Sequence, residues 1–358
     1  LKQLFEPVKL GSLELDNRLV VAPMTTYSSY EDGNIREDEI PYLKARAEGG
    51  FGLVMTAACY VHKSGHAFDG QWACSSDEFL PSLRKVADAI HEGGSKACLQ
   101  IHHGGRSCPS RNCGGTPWSA SAVPHDREGA ETPREMTRED IMEIIEAFAH
   151  AAYRAKQTGY DAVEIHGANT YLLQQFVSPH SNRRTDEWGQ WRFKFSTDVT
   201  EAVIDAVGPD FPVGYRFSPE EPYVPGIRWP DTAWLLEDLM KYPLAFLHVS
   251  LWERNQGSLH NHFPERTLEK IAYMVDGRVP VIGVGGVQTK AHAEEILATG
   301  ADLLALGRSA LLNYDWPNRV RDGQPLRTEL PPREKAKEEL ILPAGLERMA
   351  YEVAGWFK

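Results

Sequence analysis

The chain reads as an α/β protein, a (β/α)8 TIM barrel with an N-terminal hairpin and long catalytic-face loops. Two observations predict it. Eight short runs rich in Val, Ile and Leu recur along the length, as parallel strands buried on both faces require. Amphipathic segments of helical period separate them, which is the alternation of a parallel sheet with crossover helices. No shift in composition marks a second domain. Residues 1–358 are therefore read as one domain, with the barrel at about 17–320 and a tail at about 331–358.

The elements follow in order. Val8-Lys-Leu-Gly-Ser-Leu-Glu-Leu15 has the apolar alternation and central Gly-Ser of a hairpin. The expected strands are Arg18–Val21, Leu53–Ala58, Ala97–His102, Ala162–His166, Val213–Phe217, Ala245–Val249, Val281–Val284 and Leu303–Leu306. Between them, Thr137 to Lys156 is the clearest helix. Thr137 and Asp140 form a capping pair, Ile141, Ile144, Ile145, Phe148 and Ala152 form its stripe, and Gly159 stops it. Leu80, Leu83, Val86, Ala87 and Ile90 repeat the stripe before Gly93-Gly94. Ala293, Ile296 and Leu297 do so before Gly300. Two long segments, Gly104–Glu135 and Val177–Trp191, follow strands three and four and are expected to wall the catalytic face. The tail, Pro331–Lys358, reads as a closing helix and a candidate homo-oligomer contact.

Composition narrows the function classes. An apolar share of 42% with 25% charged residues is that of a globular protein. A net charge of −12 argues against nucleic acid or an anionic membrane as partner. No apolar run approaches the ~18 residues that span a bilayer, and Leu1-Lys-Gln-Leu-Phe-Glu-Pro7 lacks a signal-peptide core. A cytoplasmic location is expected. The five cysteines, Cys59, Cys74, Cys98, Cys108 and Cys113, show no metal spacing and read as free thiols. His62 with His66, and His260 with His262, lack a helical frame or carboxylate partner, so no metal site is expected.

In such a barrel the chemistry gathers where strands end. Strand four ends in His166, Asn169 and Tyr171: two neutral donors for a substrate oxygen and a phenol that can give a proton. Alone, His166 has a bland alternative as a structural histidine. Strands seven and eight end in Gly285-Gly286 and Gly307-Arg308. Glycines let backbone N–H groups approach a phosphate, and Arg308 adds a cation, although glycines after strands also serve tight turns. Gln100 and Arg216 are polar positions at the ends of predicted buried strands. A Gln suits an imide edge, and an Arg suits an anion forming on a ring. Their bland alternative is a surface-pointing Gln and a buried ion pair.

Several motifs, taken together, resemble the Old Yellow Enzyme family of FMN-dependent ene-reductases, also called NADH:flavin oxidoreductases. They are Asn17-Arg18 before Ala22-Pro23-Met24, Gln100 before Gly104-Gly105-Arg106, and His166-Gly-Ala-Asn169-Thr-Tyr171. Ser178-Pro-His-Ser-Asn182-Arg183-Arg184-Thr-Asp186-Glu-Trp188-Gly189, Gly285-Gly286 and Gly307-Arg308 complete the set, so the resemblance covers roughly Leu4 to Trp316. It implies that Pro23, Met24, Thr25 and Ala58 lie beside bound FMN. It implies that Gln100 and Arg216 hold the pyrimidine, and that Gly285, Gly286, Gly307 and Arg308 bind the phosphate. His166 and Asn169 would bind the substrate carbonyl, Tyr171 would protonate the α carbon, and Tyr27 and His102 would line the pocket. Two positions depart from some branches: Thr25 stands where they carry Cys, and Asn169 where they carry a second His. With no cysteine cluster, an iron–sulfur extension and a full dienoyl-CoA reductase are not expected.

The implied activity is reduction of the C=C bond of an α,β-unsaturated carbonyl compound, with NADH or NADPH as hydride donor. Three alternatives stay open. The flavin could chiefly serve oxygen, quinones or nitro compounds. The phosphate site could instead belong to a flavin-free lyase or isomerase, or the chain could be a non-catalytic binding module.

Overall fold

A computed structural model of the protein describes residues 3–357; residues 1, 2 and 358, the ends of the expected 1–358 unit, lie outside the described residues. All eight expected strands form. They are β1 (Leu19–Val21), β2 (Leu53–Met55), β3 (Lys96–His102), β4 (Ala162–Gly167), β5 (Val213–Phe217), β6 (Phe246–Val249), β7 (Val281–Gly283) and β8 (Leu303–Leu306). Every neighbouring pair is parallel, β8 pairs with β1, and β4 pairs with both β3 and β5, so the sheet closes into a barrel.

The strand period of two divides the apolar side chains into two shells. Val20, Leu53, Met55, Cys98, Ala162, Phe246, Ile282, Leu303 and Ala305 pack inside the barrel. The hairpin strands Val8–Leu10 and Leu13–Leu15 add Leu10, Leu13 and Leu15 to this cluster. Leu99, Ile101, Val163, Ile165, Tyr215, Phe217, Leu247 and Val249 point outward against the helices. The inner phase changes character toward the strand ends. Gln100, Glu164, His166, Arg216 and His248 all fall on it, so polar groups fill the catalytic end of the barrel. Register sets them side by side: Gln100 opposite Glu164, His166 opposite Arg216, and Arg216 opposite His248.

The helices form for the reasons their sequences give. Helix Arg138–Gln157 begins at Thr137, whose hydroxyl accepts from Asp140 N while the Asp140 carboxylate accepts from Thr137 N, closing the capping box. Its stripe is buried, and Gly159 turns the chain at φ +92°. Helix Leu80–Glu92 carries Pro81 in its first turn, and helix Lys290–Ala298 is capped by Thr289.

Two expectations need correction. The second strand stops at Met55 rather than Ala58. Thr56 Oγ1 accepts from Gln100 N, taking a place that a backbone carbonyl would hold, and the chain resumes as Cys59–Tyr60 beside β3. The tail forms two helices, Arg333–Glu339 and Ala344–Glu352, because Ile341 at φ +51° and Pro343 break the period between them. It folds back over the catalytic face of its own chain. Gly345 N donates to Ser28 Oγ at 2.8 Å, and a side chain at Gly345 would strike the Tyr27 carbonyl. The segment after β6, from Ser250 to Arg266, adds a further long catalytic-face loop to the two expected from the sequence. Among the described residues, no helix is long and apolar enough to cross a membrane.

The β1 loop is pinned from below. Glu39, fully buried at the start of helix Glu39–Glu48, accepts from Thr26 Oγ1, from Ser29 Oγ at 2.7 Å, from Trp72 Nε1 at 2.6 Å and from Arg36 N at 3.2 Å. Glu39→Ala strands three buried side-chain donors, so it should lower unfolding free energy by about 2–4 kcal/mol in urea titrations. A loss below roughly 0.5 kcal/mol would contradict this account of the loop.

Candidate functional site

Three aromatic rings meet at the ends of β3 and β4. His102 and Tyr171 lie edge to face with centroids 4.4 Å apart. His166 meets both, at 5.2 Å from His102 and 5.1 Å from Tyr171. His166 is 3% exposed, and burial drives its imidazole well below the ordinary histidine range, so it is neutral. Its Nδ1 accepts from Ala168 N at 3.3 Å, which leaves the proton on Nε2. His102 is held the same way from the other side. Gln71 Nε2 lies 2.9 Å from its Nδ1, burial lowers its pKa to about 3, and its Nε2 is buried without a partner. Burial pushes the Tyr171 phenol up to about 12, so it stays protonated at neutral pH. Tyr27 extends the wall through Phe68, whose ring lies 5.3 Å from Tyr27 and 6.1 Å from His102.

Tyr171 is aimed by an unusual stretch of backbone. Asn169 and Thr170 both sit in the left-handed region, at φ +56° and +65°, which is costly for a β-branched Thr. The turn is held by side chains. Ser218 Oγ accepts from Asn169 N, Gln174 Oε1 accepts from Thr170 N, and Gln175 Nε2 donates to Thr170 O at 2.7 Å. Asn169 turns its Oδ1 to the Ser250 hydroxyl at 2.9 Å, and Ser250 Oγ in turn accepts from Arg216 Nη2 at 3.4 Å. The Asn169 amide nitrogen is left to donate elsewhere.

Below the rings lies a charged layer. Glu164 is fully buried and accepts from Gln100 Nε2 at 2.7 Å, with His248 Nδ1 2.6 Å from its other oxygen. Burial opposes its ionisation, yet His248, Arg216 and Gln100 hold it below the ordinary carboxylate range. Burial likewise lowers His248, so a neutral imidazole donates to the carboxylate. Arg216 provides the countercharge, and its Nε is buried without a partner. Gln100 thus spends its amide nitrogen on Glu164 and retains its oxygen.

Pro23, Met24, Arg216, Gly285, Gly286, Gly307 and Arg308 line one cavity of about 490 Å³. Gly285 at φ +138° and Gly286 at φ +54° bring backbone up to Glu253, where an added Cβ at Gly285 would lie 2.6 Å from Glu253 C. A Cβ at Gly286 would likewise lie on the Glu253 carboxylate, so only glycine leaves room there. Arg308 is exposed and donates to Trp356 O at 3.1 Å, so the tail forms part of the rim. Thr25 is half-buried, while Ala58 and Gln100 are buried, and none of the three belongs to this lining. A larger cavity of about 550 Å³, between Leu4, Phe5 and helix Lys290–Ala298, contains none of the expected residues.

Several site residues escaped sequence reasoning. Glu164 and His248 left a trace, each a polar residue inside an apolar strand. Gln71, Ser250 and Trp356 left none, because only the closed barrel brings their loops together. His62 also corrects an expectation: it has a carboxylate partner, Glu143, at 3.3 Å. Among the described residues, no group of three His, Cys, Asp or Glu could hold a metal, and all five cysteines are free and buried.

Comparison with known proteins gives a consistent result. Residues 3–327 match the family model described as the NADH:flavin oxidoreductase / NADH oxidase family. The chain is 38% identical to a probable NADH-dependent flavin oxidoreductase of Bacillus subtilis, covering 99% of this chain and 97% of that protein. It is 43% identical to an NADH:acrylate oxidoreductase of Vibrio harveyi, covering 88% of this chain and 32% of that protein. An NADH:fumarate oxidoreductase of Klebsiella pneumoniae is 41% identical, over 98% of this chain and 39% of that protein. The chain therefore spans well under half of the two relatives named for an alkene acid. Among solved structures, an Old Yellow Enzyme homologue from Zymomonas mobilis superposes with a TM-score of 0.81 at 25% identity, covering 91% and 94% of the two chains. Morphinone reductase in complex with tetrahydroNAD gives 0.78 at 28%, covering 91% and 92%.

The buried imidazoles make stability depend on pH. His102, His103, His166 and His248 are all held below the ordinary histidine value by burial. Their unfolded forms take up protons near pH 6.5 and the folded forms do not. The stabilisation is complete above about pH 6.5 and is lost as pH falls toward the folded values. Unfolding free energy measured in urea should fall by several kcal/mol between pH 7 and pH 5, at most about 2 kcal/mol for each histidine. A flat profile over that interval would show that these histidines titrate normally.

Proposed function

The chain belongs to the NADH:flavin oxidoreductase / NADH oxidase family, and on that premise we propose that it reduces the C=C bond of α,β-unsaturated carbonyl compounds. The family's cofactor is FMN, with a nicotinamide as hydride donor. The residues fit an FMN. Gly285, Gly286 and Gly307 offer close backbone approach to a phosphate, with Arg308 as its cation. Arg216, whose Nε has no partner within the protein, would hold the electron-rich side of the ring, and Gln100 would offer its oxygen to an imide N–H. Pro23, Met24, Thr25 and Ala58 would border the ring. When bound, FMN supplies a two-electron carrier that accepts hydride from NADH or NADPH and yields it to an electron-poor carbon.

The observation that carries the reading is the protonation pattern of the ring cluster. His166 has its proton fixed on Nε2 and donates it to the substrate carbonyl oxygen. Asn169, its oxygen held by Ser250, donates from Nδ2 to the same oxygen. Density drawn to that oxygen leaves the β carbon electrophilic. Tyr171 keeps its phenolic proton at neutral pH and delivers it to the α carbon. Tyr27 and His102 confine the substrate beside them.

A second reading rests on coverage. The relatives whose names include an alkene acid are about two and a half to three times longer than the shared part, so that activity need not lie in it. Here electrons from NADH or NADPH leave chiefly to oxygen, quinones or another acceptor. Turnover of cyclohexenone, a quinone and oxygen under one nicotinamide supply decides between the two, and a rate on cyclohexenone far below both others supports the second.

Tyr171→Phe should slow reduction of cyclohexenone by roughly 10²–10⁴-fold while reduction of the flavin by nicotinamide stays near wild type. Equal losses in both half-reactions would count against a proton donor. Arg308→Ala should lose FMN on dialysis, and an unchanged flavin content would remove Arg308 from the phosphate site.

A further inference from the structure

A second cavity opens beside the ring cluster, and its lining differs in kind from the first. It measures about 470 Å³, and Tyr27, Ala67, Phe68 and Cys108 form its inner wall. Tyr171 packs against the apolar cluster of Ala67 and Cys108, so this wall continues into the place where the carbonyl is held. The outer wall carries Arg111, Arg127 and Arg348. They come from two separate parts of the chain, the β3 loop and the tail helix Ala344–Glu352.

The charges around the cavity are unequal. Asp69 is taken by Arg111 at 3.2 Å and by Asn112 at 3.0 Å. Glu131 accepts from Ser110 N at 2.9 Å, and the neighbouring Asp126 pairs with His180 at 3.2 Å. Arg127 gives one nitrogen to Ser107 O at 2.9 Å and acts on Glu131 across the cavity without a direct ion pair. Its charge reaches the reacting end, where it and Arg216 both act on Tyr171. Three guanidiniums thus face two carboxylates across the cavity, and of the three only Arg111 is in a direct ion pair, which leaves Arg127 and Arg348 able to turn to an anion that enters. Arg favours carboxylates because its planar fork donates two parallel hydrogen bonds.

We propose that this cavity is a subsite for a carboxylate carried by the substrate, remote from the carbonyl held at His166, with Arg127 and Arg348 as its cations. The inference rests on the reading of His166 and Tyr171 as the reacting end. It names the substrate class as unsaturated carbonyl compounds that bear an acid group on the side facing Tyr27. The tail is then part of the specificity of the site, since it brings Arg348 to the cavity.

The test uses the FMN-loaded protein without nicotinamide, so that binding is read apart from turnover. Calorimetry compares cyclohexenone with an analogue bearing a carboxylate on the γ carbon of the ring. The wild type should bind the acid about ten-fold or more tightly than the neutral ketone, and added salt should narrow the gap. In the double variant Arg127→Gln, Arg348→Gln, that preference should collapse to about one. Equal affinities in the wild type, or a preference kept in the double variant, would overturn the subsite. Adding NADH and NADPH then tests the underlying reading separately. Tight, arginine-dependent binding with no reduction of either compound upholds the anion subsite and defeats the alkene chemistry.

Discussion

A carboxylate buried in the barrel underlies the rest of the catalytic face. Glu164 has no access to water, so its charge must be answered from within the barrel. Gln100 on β3, Arg216 on β5 and His248 on β6 provide that answer, and together with β4 they span four consecutive strands. The arrangement fixes more than it neutralises. Gln100 is oriented by the bond from its nitrogen, His248 by its contact through Nδ1, and Arg216 stands between the acid and the cavity. Removing Glu164 would leave Gln100 and His248 without their common acceptor. It would also free a cation whose position depends on that acid. Polar layers of this kind are costly unless each member is satisfied. Here Arg216, whose Nε is buried without a partner, is also the member of the layer that lines the cavity.

The ring cluster shows the same economy at a smaller scale. His102 and His166 stand on neighbouring strands, on the same inner phase, and both are kept neutral by burial. In each ring Nδ1 is occupied, by Gln71 in one case and Ala168 in the other, so both rings present Nε2. Two consecutive left-handed residues then lift Tyr171 over them. Such backbone persists because Ser218, Gln174 and Gln175 over-determine it, which is how strain is retained at functional sites.

Much of this was legible in the sequence, and the boundary has a physical origin. Strand and helix periods are local, so Val163 and Ile165, or Ile141, Ile144 and Phe148, announce their faces without help from the rest of the chain. The site residues that could be read, His166, Asn169, Tyr171, Gln100, Arg216 and the glycine pairs, lie at strand ends, which the periods also locate. Gln71, Ser250 and Trp356 lie in segments with no period, and their partners at the site are 31 to 81 residues away. Glu164 was an intermediate case. It interrupts an apolar strand and so asks for a partner, but the identity of that partner depends on a register that only the closed barrel sets. The tail was misread for a related reason: Pro343 is visible as a breaker, whereas the left-handed Ile341 is not.

The cavity that joins Pro23 to Trp356 has a consequence for how the molecule holds together. Its walls come from near both ends of the chain, so it does not exist until the ring of strands has closed and the tail has crossed the face. Contacts of such long separation are the slowest and most entropically expensive to make. A group seated there engages the closed ring and has no comparable purchase on an open one. By mass action its binding then acts as a clasp, drawing the population toward closure in proportion to its concentration over its dissociation constant. The barrel and its occupant are thus coupled through the seam between β8 and β1, the junction between the last strand and the first, beside which Pro23 and Arg308 line the cavity.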